Sequence, residues 1–476
     1  MRFMDFHVTA SEFVFLLTLA ATFAASFLAR RHGKHDKDGG LGEIKLNRWL
    51  VGLSAGTTAN SGFIVTGAVG LGYSAGLQWL LLPLSWMIGD LAFWYFFPAR
   101  INKVGRESRA TTLSELLTFG VKGRMGSALA LVTAAIILVC LSGYTSAQWL
   151  AGQKFLTGAF ALPPLVALAL FAFLIILYSS IGGFRGSVYT DTLQAFIRIA
   201  GTLIALIAVI TTATSDSDSF WRHIDAAGPN FMHLFPGGLV ASAGFIAGFA
   251  AAAVGFQLGQ PQILSRYLAG KSPQETRAAW WIFMLFVQFT WLSMTFFGFV
   301  LRGVMPDIAD PEAGLSLFFE QNMGPVMTGL IVADVFATIA ATSNGLLIAM
   351  SQAVAHDLLP RLFRRKIALP FAAVTFAMGV VTMGLSAVLR GSVTSVILTS
   401  IALMGAGLAP GVMARIMRWP CTGRSLLCSI FAGMGAALLW KNAGFGSAFN
   451  EAGIGLAAAL AVNWIVAVKL PRKSAR

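Results

Sequence analysis

The sequence predicts an all-α polytopic membrane protein, and three observations carry that prediction. Of the 476 residues, 57% are hydrophobic and only 11% are charged, whereas a soluble domain carries about 25% charged residues. Apolar runs of roughly 20 residues, the length needed to cross a bilayer, recur along nearly the whole chain. Lys and Arg are shared unequally between alternate loops, as the positive-inside rule expects of a multi-span protein.

Measured by span length, the chain divides into thirteen transmembrane helices. The first, 9–29, lacks a charged leader and a small-residue cleavage site, so it reads as a retained span and not as a signal peptide. A charged loop, RRHGKHDKDGGLGEIK, leads to 49–75. Within that span the stretch LSAGTTANSGFIVTGAVGLGYSAG is too rich in glycine for an unbroken helix, with Gly56, Gly62, Gly67, Gly70, Gly72 and Gly76. Thr57, Thr58, Asn60 and Ser61 fall in its weak middle. Irregular backbone at membrane depth is tolerated where it is buried in protein or lines a cavity, so their oxygens are candidates to face a small ion or solute.

Span 78–99 follows, then a polar, partly helical loop, RINKVGRESRATTLSELLTFGVKGR. Spans 127–155, 163–181 and 187–213 come next, and an acidic loop separates them from 238–264. This last span repeats the glycine-rich character through Gly244, Gly248, Gly255 and Gly259. Spans 278–301, 325–355, 368–389 and 393–418 complete a second run, the final one interrupted by MGAGLAPG, and 425–440 and 454–468 close the chain.

Of the Lys and Arg residues, 28 fall on one set of loops and six on the other. The N-terminus is therefore expected outside and the C-terminus inside. The net charge of +14 is accounted for by topology, and nucleic acid is not an expected partner. Three cysteines, Cys140, Cys421 and Cys428, in or beside apolar runs suggest neither a disulfide framework nor a metal cluster, and the six histidines show no ligand spacing. There is no phosphate-binding loop or nucleophile constellation, so no enzyme activity and no organic cofactor are expected.

Each glycine-broken helix opens a run of five spans, and the second run enters the membrane from the opposite side. Paired broken helices in corresponding places point to inverted repeats with a binding site near the midplane. The expected organisation is a single transporter domain over 1–476: an extra helix at 9–29, repeats at 46–214 and 238–418, and two closing helices at 425–468.

At 181–194 the chain reads IGGFRGSVYTDTLQ, and here it resembles the sodium/solute symporter family, whose fifth core helix opens with a GG, aromatic, TD, Q pattern. LSAGTTANSG, ATTLSELL, FQLGQPQILSRYLAGKSPQE, ATSNGLLIAMSQAVAHDL and APGVMARIMRW agree in the same order, and the nearest branch looks like the sodium/proline symporters. The resemblance implies a LeuT-type five-plus-five inverted-repeat core, with one helix before the core and two after it.

It also implies a sodium site between the first and eighth core helices. That site falls on Thr57 and Asn60 through their carbonyls, and on Thr338, Ala341 and Thr342. Thr338 and Thr342, four apart, share a helix face, and oxygen ligands suit a hard cation. Ala341 stands where the family usually has a hydroxyl, and Ala59 stands where the proline branch has an aspartate.

Asp334 lies on the face of Thr338 and Thr342. An ionisable residue inside a membrane is a functional candidate, given an insertion cost of roughly 2.5–3.5 kcal/mol. Asp334 is either a relocated coupling carboxylate, open to protons as well as sodium, or a solvated residue near the outer interface. Asp191, with Thr190 and Gln194, matches the family's cytoplasmic ion-exit region, and Arg198 is either its partner or a snorkelling arginine. Asp90 is a further buried carboxylate with no family role.

For the solute, the resemblance implies Phe63, Tyr144, Ala253, Gln257 and Pro261, joined by Ser61 from the broken helix. Ala253 and Gln257 replace two aromatics of the proline branch, which predicts a roomier, more polar pocket. The expected function is sodium-coupled symport of a small organic solute, an amino acid such as proline or a carboxylate, across a bacterial inner membrane. The partners are sodium, the solute and lipid. Two alternatives stay open at this point: a proton-coupled symporter using Asp334, and a transporter-like sensor working with a separate signalling partner, since PRKSAR follows directly on the last span.

Overall fold

The computed structural model describes residues 9–32, 44–160, 162–235, 237–363, 369–388 and 393–469. Within them the regular structure is helical, apart from one isolated bridge between Leu46 and Gly270. Parts of the basic loops at 30–48 and 361–366, the junction at 389–392 with Arg390, and the basic stretch after 469 lie outside the described residues.

Helix α1 (Ala10–His32) is the first expected span. The broken helix is three pieces, α2 (Arg48–Ala59), α3 (Gly62–Val65) and α4 (Gly67–Ala75). Next come α5 (Leu81–Phe96) and two helices of the polar loop, α6 (Pro98–Ser108) and α7 (Leu113–Thr118). The ATTLSELL motif is what starts α7: Thr112 and Glu115 form a reciprocal capping box. Helix α8 is Gly123–Phe160.

Helix α9 (Pro164–Ser215) runs for 52 residues where two spans were expected. It is nonetheless kinked, because Gly183 adopts φ 56° and ψ −157°, a region open essentially to glycine alone. The GG of the family-like motif is thus the corner between two apolar rods. Helix α10 (Ser217–Ala226) occupies the acidic loop.

The second glycine-rich span, read as one helix over 238–264, is also two: α11 (Gly238–Gly259) and α12 (Pro261–Leu268). The cause is local. Gln260 precedes a proline and takes φ −94° and ψ 109°, since the proline ring pushes the preceding residue out of the helical region. After α13 (Pro273–Ala278) come α14 (Trp280–Val304), α15 (Gly314–Asn322) and α16 (Pro325–Gln352). A π-helical turn, Ala353–Leu358, joins α16 to α17 (Leu359–Phe363). The chain ends with α18 (Phe371–Val388), α19 (Val393–Gly407), α20 (Ala409–Ile416), α21 (Gly423–Asn442) and α22 (Glu451–Lys469). MGAGLAPG makes the break between α19 and α20, with Pro410 in the first turn of α20.

Among the described residues, eleven helical segments are long and apolar enough to cross a membrane. One of them is the kinked α9, and another joins α3 and α4 to α5. Helix α16 is the buried axis, enclosed along nearly its whole length by its neighbours, whereas α1 and α22 keep apolar side chains such as Phe13, Leu17 and Trp464 exposed. Exposed apolar surface of this extent suits lipid and not water.

Candidate ion and solute site

The first break fixes the site. The α2 helix stops at Ala59, Asn60 (φ −86°, ψ 79°) caps it, and Ser61 (ψ 178°) starts α3 by accepting from the Phe63 N–H. Across this gap the amides turn elsewhere. Ser61 N–H donates to the Ala59 carbonyl, Gly62 N–H to Gln148 Oε1 at 3.1 Å, and Ile64 N–H to the Ser61 carbonyl. The carbonyls of Thr57, Thr58 and Asn60 therefore lose their i+4 helical partners, as a broken membrane helix requires at an ion site.

Helix α16 lies against this edge. The Thr342 hydroxyl donates to the freed Thr58 carbonyl at 3.1 Å, so α2 and α16 meet at the break. Thr338, Ala341 and Thr342 are all buried. The Thr338 hydroxyl donates to the Asp334 carbonyl (2.9 Å) and lies 3.5 Å from Asp334 Oδ1. Thr57 and Asn60 are buried too. The Thr57 hydroxyl bonds back to Leu53 C=O, and Asn60 Nδ2 donates to Thr290 Oγ1 of α14.

Neither reading of Asp334 anticipated its partner. It is fully buried, so it is not a solvated residue near an interface, and its Oδ2 accepts from Arg198 Nη1 at 2.7 Å. The packing is close: a Cβ on Gly201 would overlap the Asp334 carboxyl. Arg198 is accordingly neither the partner of Asp191 nor a snorkelling arginine, because its side chain is 1% exposed.

Asp191 pairs instead with Arg266 of α12, at 3.1 Å, with both side chains fully buried. Asp191 Oδ2 also accepts from Ser54 (2.6 Å) and Thr58 (3.2 Å). The guanidinium donates further to Ser187 (2.6 Å), Ser54 (3.2 Å) and the Gln262 carbonyl (2.6 Å), and lies 5.1 Å from the Phe184 ring centre. So many donors and acceptors are what a buried ion pair needs to repay desolvation. By sequence Arg266 falls just beyond the span expected at 238–264, among the loop cations. Its signal was present: it stands within the quoted PQILSRYL, on the expected span's edge.

A cavity lies on the other side of the break. Ser61, Phe63, Tyr144 and Gln257 line it, as expected, together with Asn60 and Ala59. Ala253 and Pro261 do not. Ala253 is spent on packing against α5, where a Cβ on Gly89 would stand 2.7 Å from it, and Pro261 opens α12 as its first residue. The cavity walls also hold aromatics beyond those expected. Trp86 of α5 and Trp291 of α14, missed in the sequence, fill the space with rings 5.5 Å apart, and Phe63 packs edge-on to Trp291 at 5.9 Å.

The model of the Sodium:solute symporter family matches residues 41–418. The chain belongs to the sodium:solute symporter family. Among curated relatives, the osmoregulated proline transporter OpuE of Bacillus subtilis is 25% identical over 419 residues, covering 85% of this chain and 83% of the relative. The sodium/pantothenate symporter of Haemophilus influenzae is also 25% identical, over 71% of this chain and 69% of its own. A solved structure of a Na+-coupled sialic acid symporter in a substrate-bound outward-open state superposes with a TM-score of 0.79 at 18% identity, covering 97% of this chain and 98% of the other. The protein is thus a helical, multi-pass membrane transporter with that symporter's fold, and not an enzyme.

Proposed function

We propose that this chain couples the inward movement of sodium to uptake of a small organic solute, an amino acid such as proline or a carboxylate, across a bacterial inner membrane. Separating the kinked α9 into two crossings, and α2–α4 from α5, gives thirteen spans. The basic loops then lie inside, and the repeats are those at 46–214 and 238–418.

The observation that carries the reading is the position of Thr58. Its carbonyl accepts from Thr342 and its hydroxyl donates to Asp191. One residue therefore joins the edge where sodium would bind to the ion pair that ties α2 to α9 and α12. Sodium held by the carbonyls of Thr57 and Asn60 and the hydroxyls of Thr338 and Thr342, with Ala341 supplying no side-chain oxygen, would fasten α2 to α16 and favour the form open to the outside. Solute entering beside Ser61, Phe63 and Tyr144 would complete closure around the break. Rearrangement of Asp191 and Arg266 would then release the ion inward. Asp334, engaged by Arg198, acts by holding Thr338 and not as an ion ligand, and proton coupling through it would have to break that pair.

The test is uptake into proteoliposomes of a labelled panel of amino acids and carboxylates, under an inward sodium gradient or an inward proton gradient of equal size. Sodium-driven accumulation of at least one solute is expected. Accumulation under protons alone would move coupling to another group, and binding without accumulation would favour a sensor.

A further inference from the structure

The carboxyl of Asp90 plays no part in the scheme above. It lies on α5, is fully buried, and lines the cavity between Trp86 and Gln257. The approach of α5 to α11 puts it there, because a Cβ on Gly89 would overlap the Ala250 carbonyl. Asp90 Oδ1 accepts from Gln257 Nε2 at 2.9 Å, and Gln257 Oε1 accepts from the Tyr267 hydroxyl at 2.7 Å. Gln257 is thereby spent at both ends and turns its donor to the carboxyl. Asp90 Oδ2 has no hydrogen-bond partner.

No Lys, Arg or His forms an ion pair with Asp90 among the described residues, and none lines the cavity. The two guanidiniums buried nearest the core each have a carboxylate of their own. A buried carboxylate is costly until it is paired. The remaining walls mix aliphatic side chains with the rings of Trp86, Trp291, Phe63 and Phe256, and indole rings attract cations through their quadrupole. Two independent features of one cavity, an unpaired carboxyl oxygen and an aromatic wall, ask for the same group.

We propose that Asp90 is a solute-recognition residue, and that the solute it selects carries a cationic nitrogen, a protonated or alkylated ammonium, seated between the Asp90 carboxyl and the indoles of Trp86 and Trp291. The inference rests on the cavity being the solute site of a transporter and narrows the solute class. A simple carboxylate without nitrogen is disfavoured by a like charge. A zwitterion meets the requirement through its ammonium.

The experiment compares matched probes on the purified protein in sodium buffer, reading the rise in melting temperature with concentration. L-proline and pyrrolidine are set against tetrahydrofuroate, the ring-oxygen analogue of proline. Glycine betaine is set against tert-butylacetate, in which carbon replaces the quaternary nitrogen. At least one nitrogen-bearing probe should stabilise the wild type while its nitrogen-free analogue does not. Asp90→Asn should weaken that binding by about 30-fold or more, while Asp90→Glu retains part of it. Equal stabilisation by the nitrogen-free analogues, unchanged affinity in Asp90→Asn, or no response to any nitrogen-bearing probe overturns the proposal. If Asp90→Asn does not fold, the wild-type preference still decides. Binding that needs Asp90 but never leads to sodium-driven accumulation upholds the role of Asp90 and contradicts symport instead.

Discussion

Asp334 and Arg198 form a buried pair one helical turn from Thr338, and their chemistry sets a sharp expectation. Removing one member leaves the other charged and uncompensated, which costs about 3–5 kcal/mol, whereas replacing both by apolar residues is close to neutral. Asp334→Asn should therefore lower the melting temperature of the purified protein strongly, and the double variant Asp334→Leu/Arg198→Leu should recover most of the loss. Equal losses in single and double variants would mean that the pair does more than neutralise itself. Single residues of this kind were half legible. An aspartate inside an apolar run announces itself, and Asp90, Asp191 and Asp334 were all visible. Their partners were not. Helical periodicity places Arg198 on the face of Asp191, seven residues away, but the partner it meets is 136 positions distant, a pairing that only tertiary packing decides. Arg266 was hidden for the opposite reason, since a cation at a span's edge looks the same whether it faces water or a buried carboxylate.

At the scale of elements, span lengths and breaks were legible because they depend on local composition. Gly, Thr and Asn weaken the first broken helix where the structure breaks it. The Gln260–Pro261 break is hidden in the sequence because the apolar, glycine-rich run continues across it, and the family resemblance assigns the proline to solute contact. The corner at Gly183 makes a quantitative case. Its φ of 56° with ψ −157° is strained for any residue with a Cβ, so Gly183→Ala should cost about 1–3 kcal/mol. Gly158, on α8 with open space around it, is the control. Gly158→Ala should be neutral or stabilising by up to about 1 kcal/mol. Melting curves of the two variants should move apart, and coincident curves would remove the kink from the account of α9.

At the scale of the whole molecule, contacts converge on one residue's neighbourhood. Thr58 shares bonds with Thr342 on one side and Asp191 on the other, a cavity opens beyond Asn60 and Ser61, and α16 runs buried through the centre. The all-helical membrane fold was legible from hydropathy and motif order, because a membrane leaves few architectures available. The cavity walls were less so. Trp86 and Trp291 belong to spans with no distinguishing motif, and aromatic residues in such spans look alike whether they face lipid, protein or a solute. The central claim is that sodium binds between α2 and α16. It is tested most directly by equilibrium binding of radiolabelled sodium to the purified wild type and to Thr342→Ala, which removes one oxygen and leaves the Thr58 carbonyl without its donor. Saturable binding in the wild type, weakened about tenfold or more in Thr342→Ala, is the predicted result. Sodium binding of equal affinity in the two proteins, or none in the wild type, would contradict the account.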